Sequence, residues 1–192
     1  MLGRQGLEVI GLSAAETTQE FETGCTFEEN ALLKARQYHR ISGLTTIADD
    51  SGLEVEALGG APGVFSARYA GDSADDDQRI RKLLAEIEEV PENLRQARFI
   101  CAAAVVWDGG EQVLRDEVQG MILRDGRGEN GFGYDPIFFY QPLGRTFAEL
   151  TPSEKAEVSH RGRAFRRIGA WLKESGVLDT SRSGDRIVTT AD

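Results

Sequence analysis

Three segments of the chain place hydrophobic residues every three or four positions, which is the spacing of a helix with one buried face. In the first segment Thr26 and Glu29 match a capping box, which predicts that a helix starts after Thr26. The second segment is stopped by Pro91, and the third ends before Gly176. The predicted buried faces consist of Phe27, Ala31, Ala35 and Tyr38, then Ile80, Leu83, Leu84, Ile87 and Val90, and finally Ala164, Phe165, Ile168, Trp171 and Leu172.

Runs of apolar, β-branched or alternating residues between these segments predict strands. The runs cover residues 6–12, 44–48, 53–58, 97–107, 113–123 and 137–140. Asp108-Gly109-Gly110 predicts a turn between two strands of a hairpin, and a short helix is predicted at residues 153–158. Together these elements predict a mixed α and β protein in which helices pack on a sheet with an extended hairpin.

Length, composition and charge narrow the possible functions. The 192 residues are 40% hydrophobic and 28% charged, which is ordinary for one domain that buries a core. The net charge of −10 argues against binding to nucleic acid or to an anionic membrane, because both require surplus cations. An anionic substrate would therefore need a local basic cluster or a metal ion.

Cysteine content and hydropathy bear on the location of the protein. Cys25 and Cys101 are too few for a disulfide framework, so we expect reduced thiols. The longest apolar run, residues 99–107, is far shorter than the ~20 residues that span a bilayer. The first residues lack the hydrophobic region of a signal peptide. We therefore expect a cytoplasmic protein without membrane contact.

Two adjacent aspartates, Asp49 and Asp50, follow the apolar run at residues 44–48. The end of a buried strand is where α/β sheets usually place their sites. The carboxylate oxygens suit Mg²⁺, which binds proteins through one or two carboxylates together with substrate phosphates. Because Asp, Ser and Gly are also common turn residues, Asp49-Asp50-Ser51-Gly52 fits a solvated acidic turn as well.

A glycine-rich segment contains the second set of candidate residues. Gly131 and Gly133 flank Phe132 and precede Tyr134 and Asp135. Small residues let a backbone approach a ligand closely, and either aromatic ring could stack on a flat base. A flexible connection with one aromatic residue in the core explains the same pattern.

Lys155, His160 and Arg161 form a third, basic set near the C-terminal helix. A lysine is a point charge suited to phosphate, whereas histidine and arginine offer N–H donors suited to carbonyl oxygens. The structural alternative is that Ser159 caps a helix whose solvated face is basic.

Five motifs occur in the order in which one protein family carries them. The motifs are Thr26-Phe-Glu-Glu-Asn-Ala, Ile47-Ala-Asp-Asp-Ser-Gly-Leu53, Gly60-Ala-Pro-Gly-Val-Phe-Ser-Ala-Arg-Tyr-Ala-Gly71, Gly131-Phe-Gly-Tyr-Asp-Pro-Ile137 and Ser159-His-Arg-Gly162. The chain therefore resembles the pyrophosphatases of inosine triphosphate and related purine nucleoside triphosphates, which are also called dITP/XTP pyrophosphatases. The resemblance covers about residues 22–176, most of the chain.

The resemblance implies a Mg²⁺-dependent hydrolase that removes ITP, dITP and XTP from the nucleotide pool. It would cleave them between the α and β phosphorus atoms and release the monophosphate and pyrophosphate. The implied fold is α/β, with an elongated mixed sheet flanked by helices and two lobes around a substrate cleft, and the implied assembly is a homodimer. The enzyme domain would span residues 1–176, followed by a polar, loosely ordered tail at residues 177–192.

The family motifs also imply roles for individual positions of this sequence. Asp50 matches the general base and metal ligand, and Glu22 matches the second acidic position near the metal. Asp49 is a further acidic candidate at the metal, and Arg68 is a plausible helper. The implied substrate contacts come from Ser51, Phe132, Gly133, Tyr134, Asp135, Lys155, His160 and Arg161, with Lys34 facing the phosphates.

One family feature has no match here, namely an N-terminal strand leading into a Thr/Ser-x-Asn-x-x-Lys loop that holds the triphosphate. Residues 1–10 resemble instead the end of the helix that follows this loop and the start of the second strand. We therefore expect an N-terminally truncated chain that lacks a core strand and part of its phosphate site, and that is poorly stable and weakly active. Two alternatives stay open: a nucleotide-binding remnant without turnover, and a related pyrophosphatase of pyrimidine or modified nucleotides.

Overall fold

The computed structural model describes residues 8–11, 23–177 and 186–190. The amphipathic helices and the hairpin strands form close to where the hydrophobic spacing predicts them. No helix in these ranges has the length and hydropathy that a membrane span requires. The helices are α1 (Phe27–Ser42), α2 (Asp76–Glu86), α3 (Pro152–Val158) and α4 (His160–Ser175), and the strands are β1 (Glu8–Gly11), β2 (Thr45–Val55), β3 (Gln96–Trp107), β4 (Gly110–Ile122), β5 (Phe138–Tyr140), β6 (Arg145–Thr146) and β7 (Arg186–Thr190).

The strands of the described residues lie in one sheet with the order β1-β7-β2-β3-β4-β5-β6. β7 is parallel to both of its neighbours, β1 and β2. β5 is antiparallel to both β4 and β6. The sheet is therefore mixed, and together with the helices it confirms the predicted α/β class.

The chain folds as two compact units, each with its own hydrophobic core. The first unit comprises Met1–Asp50, Cys101–Asp116 and Ala164–Asp192, and the second comprises Ser51–Ile100 and Glu117–Arg163. The core of the first unit includes Ile47, Cys101, Ala103, Val105, Ala164, Ile168, Leu172 and Ile187. The core of the second unit includes Leu53, Val55, Leu83, Ile87, Phe99, Tyr134, Ile137, Phe138, Phe147 and Leu150.

β2 runs without a break through Asp49-Asp50-Ser51-Gly52, where the sequence predicts the end of a strand and a turn. The two short strands predicted at residues 44–48 and 53–58 are therefore one strand, which ends at Val55 and passes into a single 3₁₀ turn at Glu56–Leu58. The turn prediction is wrong because β2 is an interior strand between β7 and β3. β7 pairs with Thr45–Ala48 of β2, and β3 is the neighbour of β2 on its other side, so pairing within the sheet overrides local turn propensity.

The C-terminal segment forms an interior strand rather than a loose tail. Ile187 of β7 lies opposite Val9 of β1 and opposite Thr45 of β2. Ile187 and Val188 are buried. The prediction of a loosely ordered tail is therefore wrong for residues 186–190, because backbone pairing with two strands and two buried side chains outweigh the polar composition. The other predicted tail residues, 178–185 and 191–192, lie outside the described residues.

Among the described residues, β7 occupies the position between β1 and β2 and pairs with both. The sheet is therefore continuous there, and the strand comes from the C-terminal end of this chain.

Candidate active site

Asp50 lies on β2 within a small polar cluster of the first unit. Its Oδ2 accepts a hydrogen bond from Asn30 Nδ2 at 3.0 Å, and its Oδ1 accepts one from Lys34 Nζ at 3.4 Å. Asn30 and Lys34 are four residues apart on α1 and share one helix face. All three residues are buried, and Asp50 is 8% exposed. An ammonium group and an amide thus compensate the buried carboxylate.

The residues before α1 orient the amide of Asn30. Thr26 caps α1 by accepting a hydrogen bond from Glu29 N, which confirms the predicted start of the helix. Gly24 N donates to Asn30 Oδ1 at 2.8 Å, so the Nδ2 group is the one directed at Asp50. Asn30 is not among the site residues predicted from the sequence, although its position four residues before Lys34, on the same helix face, was an available signal.

Asp49 lies on the opposite face of β2 from Asp50, since successive side chains of a strand alternate between the two faces. Its Oδ2 accepts a hydrogen bond from Cys101 Sγ at 3.7 Å, and both residues are buried. The structure therefore does not bring the two aspartates together on one face, as a metal site shared between them would require.

Asp50 is the described acidic residue on which the predicted metal coordination depends. No group of three His, Cys, Asp or Glu side chains that could hold a metal ion occurs within the described part of the chain. Glu22, the second acidic position implied by the family motifs, lies outside the described residues. Binding of Mg²⁺ through few carboxylates and the oxygens of a phosphate substrate therefore stays a prediction.

A second group of candidate residues surrounds the carboxylate of Asp135 in the second unit. Its Oδ2 accepts hydrogen bonds from Phe132 N at 2.9 Å and from the Lys155 ammonium group. Lys155 Nζ also lies 4.5 Å from the centroid of the Phe132 ring, a cation–π contact. Asp135 is 2% exposed, and burial raises its pKa, while the Lys155 charge acts in the opposite direction. Lys155 therefore contacts both the Asp135 carboxylate and the Phe132 ring.

Gly131 and Gly133 allow the chain to turn tightly around Phe132. Their φ angles are +80° and +61°, in the left-handed region that favours glycine. A β-carbon at Gly131 would lie 2.0 Å from Asp135 Oδ2, so no larger residue fits this turn. The Phe132 ring is 65% exposed. An exposed aromatic ring is suited to stacking on a flat ligand such as a base.

Tyr134 lies in very different surroundings from Phe132. Its ring is buried in the core of the second unit, and its hydroxyl donates to the Ser66 carbonyl at 3.0 Å. Burial raises the pKa of this hydroxyl. Tyr134 is therefore the aromatic residue of this segment that packs in the core. The exposed Phe132 ring is the one that fits stacking on a ligand.

His160 begins α4 and packs its ring against Phe99 of β3. The ring centroids are 4.7 Å apart and the planes differ by 10°. His160 is 7% exposed, and burial, followed by the Lys155 and Arg161 charges, lowers its pKa to about 3. The imidazole is therefore neutral near neutral pH. Its Nδ1 is buried and makes no hydrogen bond to the described residues.

A close junction between α3 and α4 places Lys155 and His160 near each other. Ser159 Oγ accepts a hydrogen bond from Gly162 N at 3.1 Å. Ser159 therefore caps α4, which is the role that the sequence offered as the alternative to a ligand-binding motif. A β-carbon at Gly162 would lie 1.9 Å from the Ala156 carbonyl oxygen, so the two helices meet this closely only at a glycine. Within the Ser159-His-Arg-Gly162 motif, Ser159 and Gly162 thus shape the junction between the two helices.

The remaining candidates are Ser51, Arg161 and Arg68. Ser51 directly follows Asp50 and Arg161 directly follows His160, and both are partly buried. The Arg68 guanidinium lies 5.1 Å from the centroid of the Phe65 ring. Phe99 was predicted only as a residue of a buried strand. It also packs against the His160 ring. No local pattern marks it, because the two residues are far apart in the sequence.

Comparison with known proteins gives consistent matches over most of the chain. The model of the Ham1 family matches residues 1–171. A protein of Shigella flexneri named dITP/XTP pyrophosphatase is 46% identical over 187 residues, which cover 96% of this chain and 90% of that protein. One of the same name from Mycolicibacterium paratuberculosis is 50% identical over 168 residues, covering 86% of this chain and 82% of that protein.

Solved structures agree with these sequence matches. A HAM1 protein from Coxiella burnetii has a TM-score of 0.77 at 40% identity, covering 88% of this chain and 99% of that one. A nucleoside-triphosphatase / dITP/XTP pyrophosphatase from Mycobacterium abscessus has a TM-score of 0.67 at 46% identity, covering 82% of each chain. Sequence and fold therefore point to the same group of proteins.

Proposed function

Since the chain belongs to the Ham1 family, we propose that it hydrolyses ITP, dITP and XTP to the monophosphate and pyrophosphate and so removes them from the nucleotide pool. The observation that carries this proposal is the 46% and 50% identity to proteins named dITP/XTP pyrophosphatase. The polar cluster around Asp50 and the group of Phe132, Asp135, Lys155 and His160 offer the chemistry that such a reaction needs.

Purine recognition is assigned to Phe132, Lys155 and His160. The exposed Phe132 ring offers a face for base stacking, which contributes about 1–3 kcal/mol per base in other nucleotide-binding proteins. The neutral His160 ring carries one N–H and one lone pair. Because a buried N–H without a partner is rarer than a buried acceptor without one, the unpartnered Nδ1 favours the tautomer with the proton on Nε2.

An Nε2–H donor on His160 explains a preference for purines with an oxygen at position 6. Hypoxanthine and xanthine present an acceptor there, whereas adenine presents an amino donor that would face the imidazole N–H. A mismatch at a buried polar group discriminates by up to ~10⁴–10⁵ in favourable cases. Guanine also has the 6-oxo group, so discrimination against it must act at position 2.

The reaction chemistry is assigned to Asp50, whose carboxylate would accept a proton from the attacking water. Asn30 and Lys34 each donate to one of its oxygens and fix its orientation. Lys34 also offsets substrate charge. A triphosphate carries about four negative charges, and a protein with a net charge of −10 repels it unless local cations compensate.

The residues present fit a magnesium ion held by Asp50. Its carboxylate offers hard oxygen ligands, and Mg²⁺ takes one or two carboxylates with substrate phosphates and water rather than a full protein cage. Glu22 is the second residue that would hold it. When bound, Mg²⁺ would stabilise the charge that develops on the leaving pyrophosphate.

Assembly and location follow the family pattern in this proposal. Homodimers are usual among the pyrophosphatases that the sequence resembles, so we expect two copies in solution, to be tested by light scattering. A cytoplasmic location fits a substrate drawn from the nucleotide pool. A mass of one copy, 21.0 kDa, would contradict the dimer without affecting the activity.

The specificity assignment is tested by a pyrophosphate-release assay with Mg²⁺ on dITP, XTP, dATP, dGTP, dTTP and dUTP. The wild-type protein should favour dITP and XTP over dATP by at least about 10²-fold in kcat/KM. His160→Phe keeps an aromatic ring against Phe99 but removes the N–H donor, so this ratio should fall by roughly tenfold or more. His39→Phe, at the other histidine of the chain, should leave the ratio unchanged.

Three outcomes would redirect the assignment. Equal rates on dITP and dATP in the wild-type protein would contradict recognition of the 6-oxo group. Tight binding of dITP without release of pyrophosphate would support the nucleotide-binding remnant. A preference for dTTP or dUTP would support the pyrimidine alternative.

A further inference from the structure

The first turn of α2 is hydrogen-bonded to the turn that carries Phe132. Asp76 is the first residue of α2, and its Oδ2 accepts a hydrogen bond from Gly133 N at 2.6 Å. The helix cap does not need this carboxylate, because Asp75 and Gln78 already form a complete capping box. The Asp76 side chain is thus available to hold a segment 57 residues further along the chain.

Arg79 fixes the direction of the Asp76 carboxylate. Its Nη1 donates to Asp76 Oδ1 at 2.5 Å, and its Nη2 donates to the Ala74 carbonyl at 2.6 Å. A guanidinium held at two points in this way orients the carboxylate it binds. The second carboxylate oxygen is left for the Gly133 amide.

The main chain around Phe132 is therefore held by a carboxylate on each side. Phe132 N donates to Asp135 Oδ2 at 2.9 Å, and Gly133 N donates to Asp76 Oδ2 at 2.6 Å. The side chain between these two anchors is an exposed aromatic ring. A backbone restrained at both amides presents that ring in one orientation, although the ring itself packs little against the protein.

We propose that Asp76 is a positioning residue that holds the Phe132–Gly133 turn in the conformation that presents the Phe132 ring to the purine base. This inference rests on the proposed function, because it takes the base as the ligand of the ring. Asp76 would act through Phe132 and would not itself contact the substrate. Its loss should therefore weaken substrate binding and leave the chemical step largely intact.

Amide hydrogen exchange tests the restraint whether or not the protein is active. Asp76→Ala should speed exchange of the Gly133 amide by roughly tenfold, the loss expected for one charge-assisted hydrogen bond. Asp77→Ala is the matched control, because Asp77 is an exposed acid in the same helical turn. Asp76→Asn keeps an oxygen acceptor and should have an intermediate effect. Unchanged exchange at Gly133 in Asp76→Ala would overturn the proposal.

Steady-state kinetics with dITP test the consequence for binding. Asp76→Ala should raise KM about tenfold and change kcat by less than about twofold. In a Phe132→Ala background the same substitution should have no further effect on KM, because Asp76 acts through the ring. A lower kcat at unchanged KM, or equal effects in both backgrounds, would refute the positioning role.

These measurements separate the inference from the function on which it rests. A wild-type protein that does not hydrolyse dITP would contradict the proposed function, while faster Gly133 exchange in Asp76→Ala would still support the restraint. An active wild-type protein with the same KM in Asp76→Ala would contradict the inference alone.

Discussion

Ile187→Ala tests whether the C-terminal strand β7 is part of the core of the first unit. Ile187 is fully buried and belongs to the same hydrophobic cluster as Ile47 and Ile168. The substitution removes most of an aliphatic side chain from a close-packed site. If residues 177–192 were a loose polar tail, this change would have no effect on folding.

The expected loss follows from the burial of Ile187. Truncating a fully buried isoleucine to alanine costs about 2–5 kcal/mol, the sum of lost transfer free energy and of the cavity left behind. In a chain of this length each kcal/mol lowers the melting temperature by about 2–4 °C. Ile187→Ala should therefore lower it by roughly 4–20 °C.

Thermal unfolding followed by circular dichroism measures this difference. Thr189→Ala is the matched control, because Thr189 lies in the same strand and is only partly buried. It should cost about 1 kcal/mol or less. A melting temperature of Ile187→Ala equal to that of the wild-type protein would refute the placement of β7 in the core.

Two further predictions concern His160 and the junction between α3 and α4. The folded protein holds the pKa of His160 at about 3, below the ordinary 6.5, so the unfolded chain binds one more proton between these values. The free energy of unfolding should therefore fall as the pH drops from 6.5 towards 3, with a contribution of up to ~1.4 kcal/mol per pH unit that is absent in His160→Phe; equal slopes in urea unfolding of the two proteins would contradict this. Gly162→Ala places a β-carbon 1.9 Å from the Ala156 carbonyl oxygen, and the forced shift should cost about 1–3 kcal/mol in the same assay. Gly126→Ala, where the nearest atom would lie 3.3 Å away, should cost less.

The helices could be predicted from the sequence because their signals are local. Thr26 and the spacing of Phe27, Ala31 and Ala35 identify the start and the buried face of α1 within ten residues of chain. The α2 stripe is equally local, although the helix ends at Glu86 and its last two hydrophobic positions lie in the turn before Pro91.

Local sequence patterns could not predict the interior strands β2 and β7 correctly. Asp49 and Asp50 are turn residues by propensity, but in β2 they are satisfied by Cys101 and Asn30, which are 52 and 20 residues away. Only Ile187 and Val188 make β7 apolar, and the backbone partners that stabilise it lie more than a hundred residues earlier in the chain. Pairing partners at such distances leave no mark in a hydrophobicity pattern.

Only part of the candidate site could be predicted, because some of its contacts also join residues that are far apart in the sequence. Family motifs pointed to Phe132, Asp135, Lys155 and His160. The structure brings the first three into contact and places His160 in the same unit, where the Lys155 charge acts on it. The motifs could not show that Tyr134 is buried in the core, since its neighbours come from distant segments.

Hydrolysis of purine triphosphates that carry a 6-oxo group is the central proposal, and the products formed from dITP test it most directly. With Mg²⁺ and dITP, chromatography should show dIMP and pyrophosphate in equal amounts, and Asp50→Asn should form neither at a comparable rate. Release of single phosphate groups to give dIDP, or equal turnover by the wild-type protein and Asp50→Asn, would contradict the account.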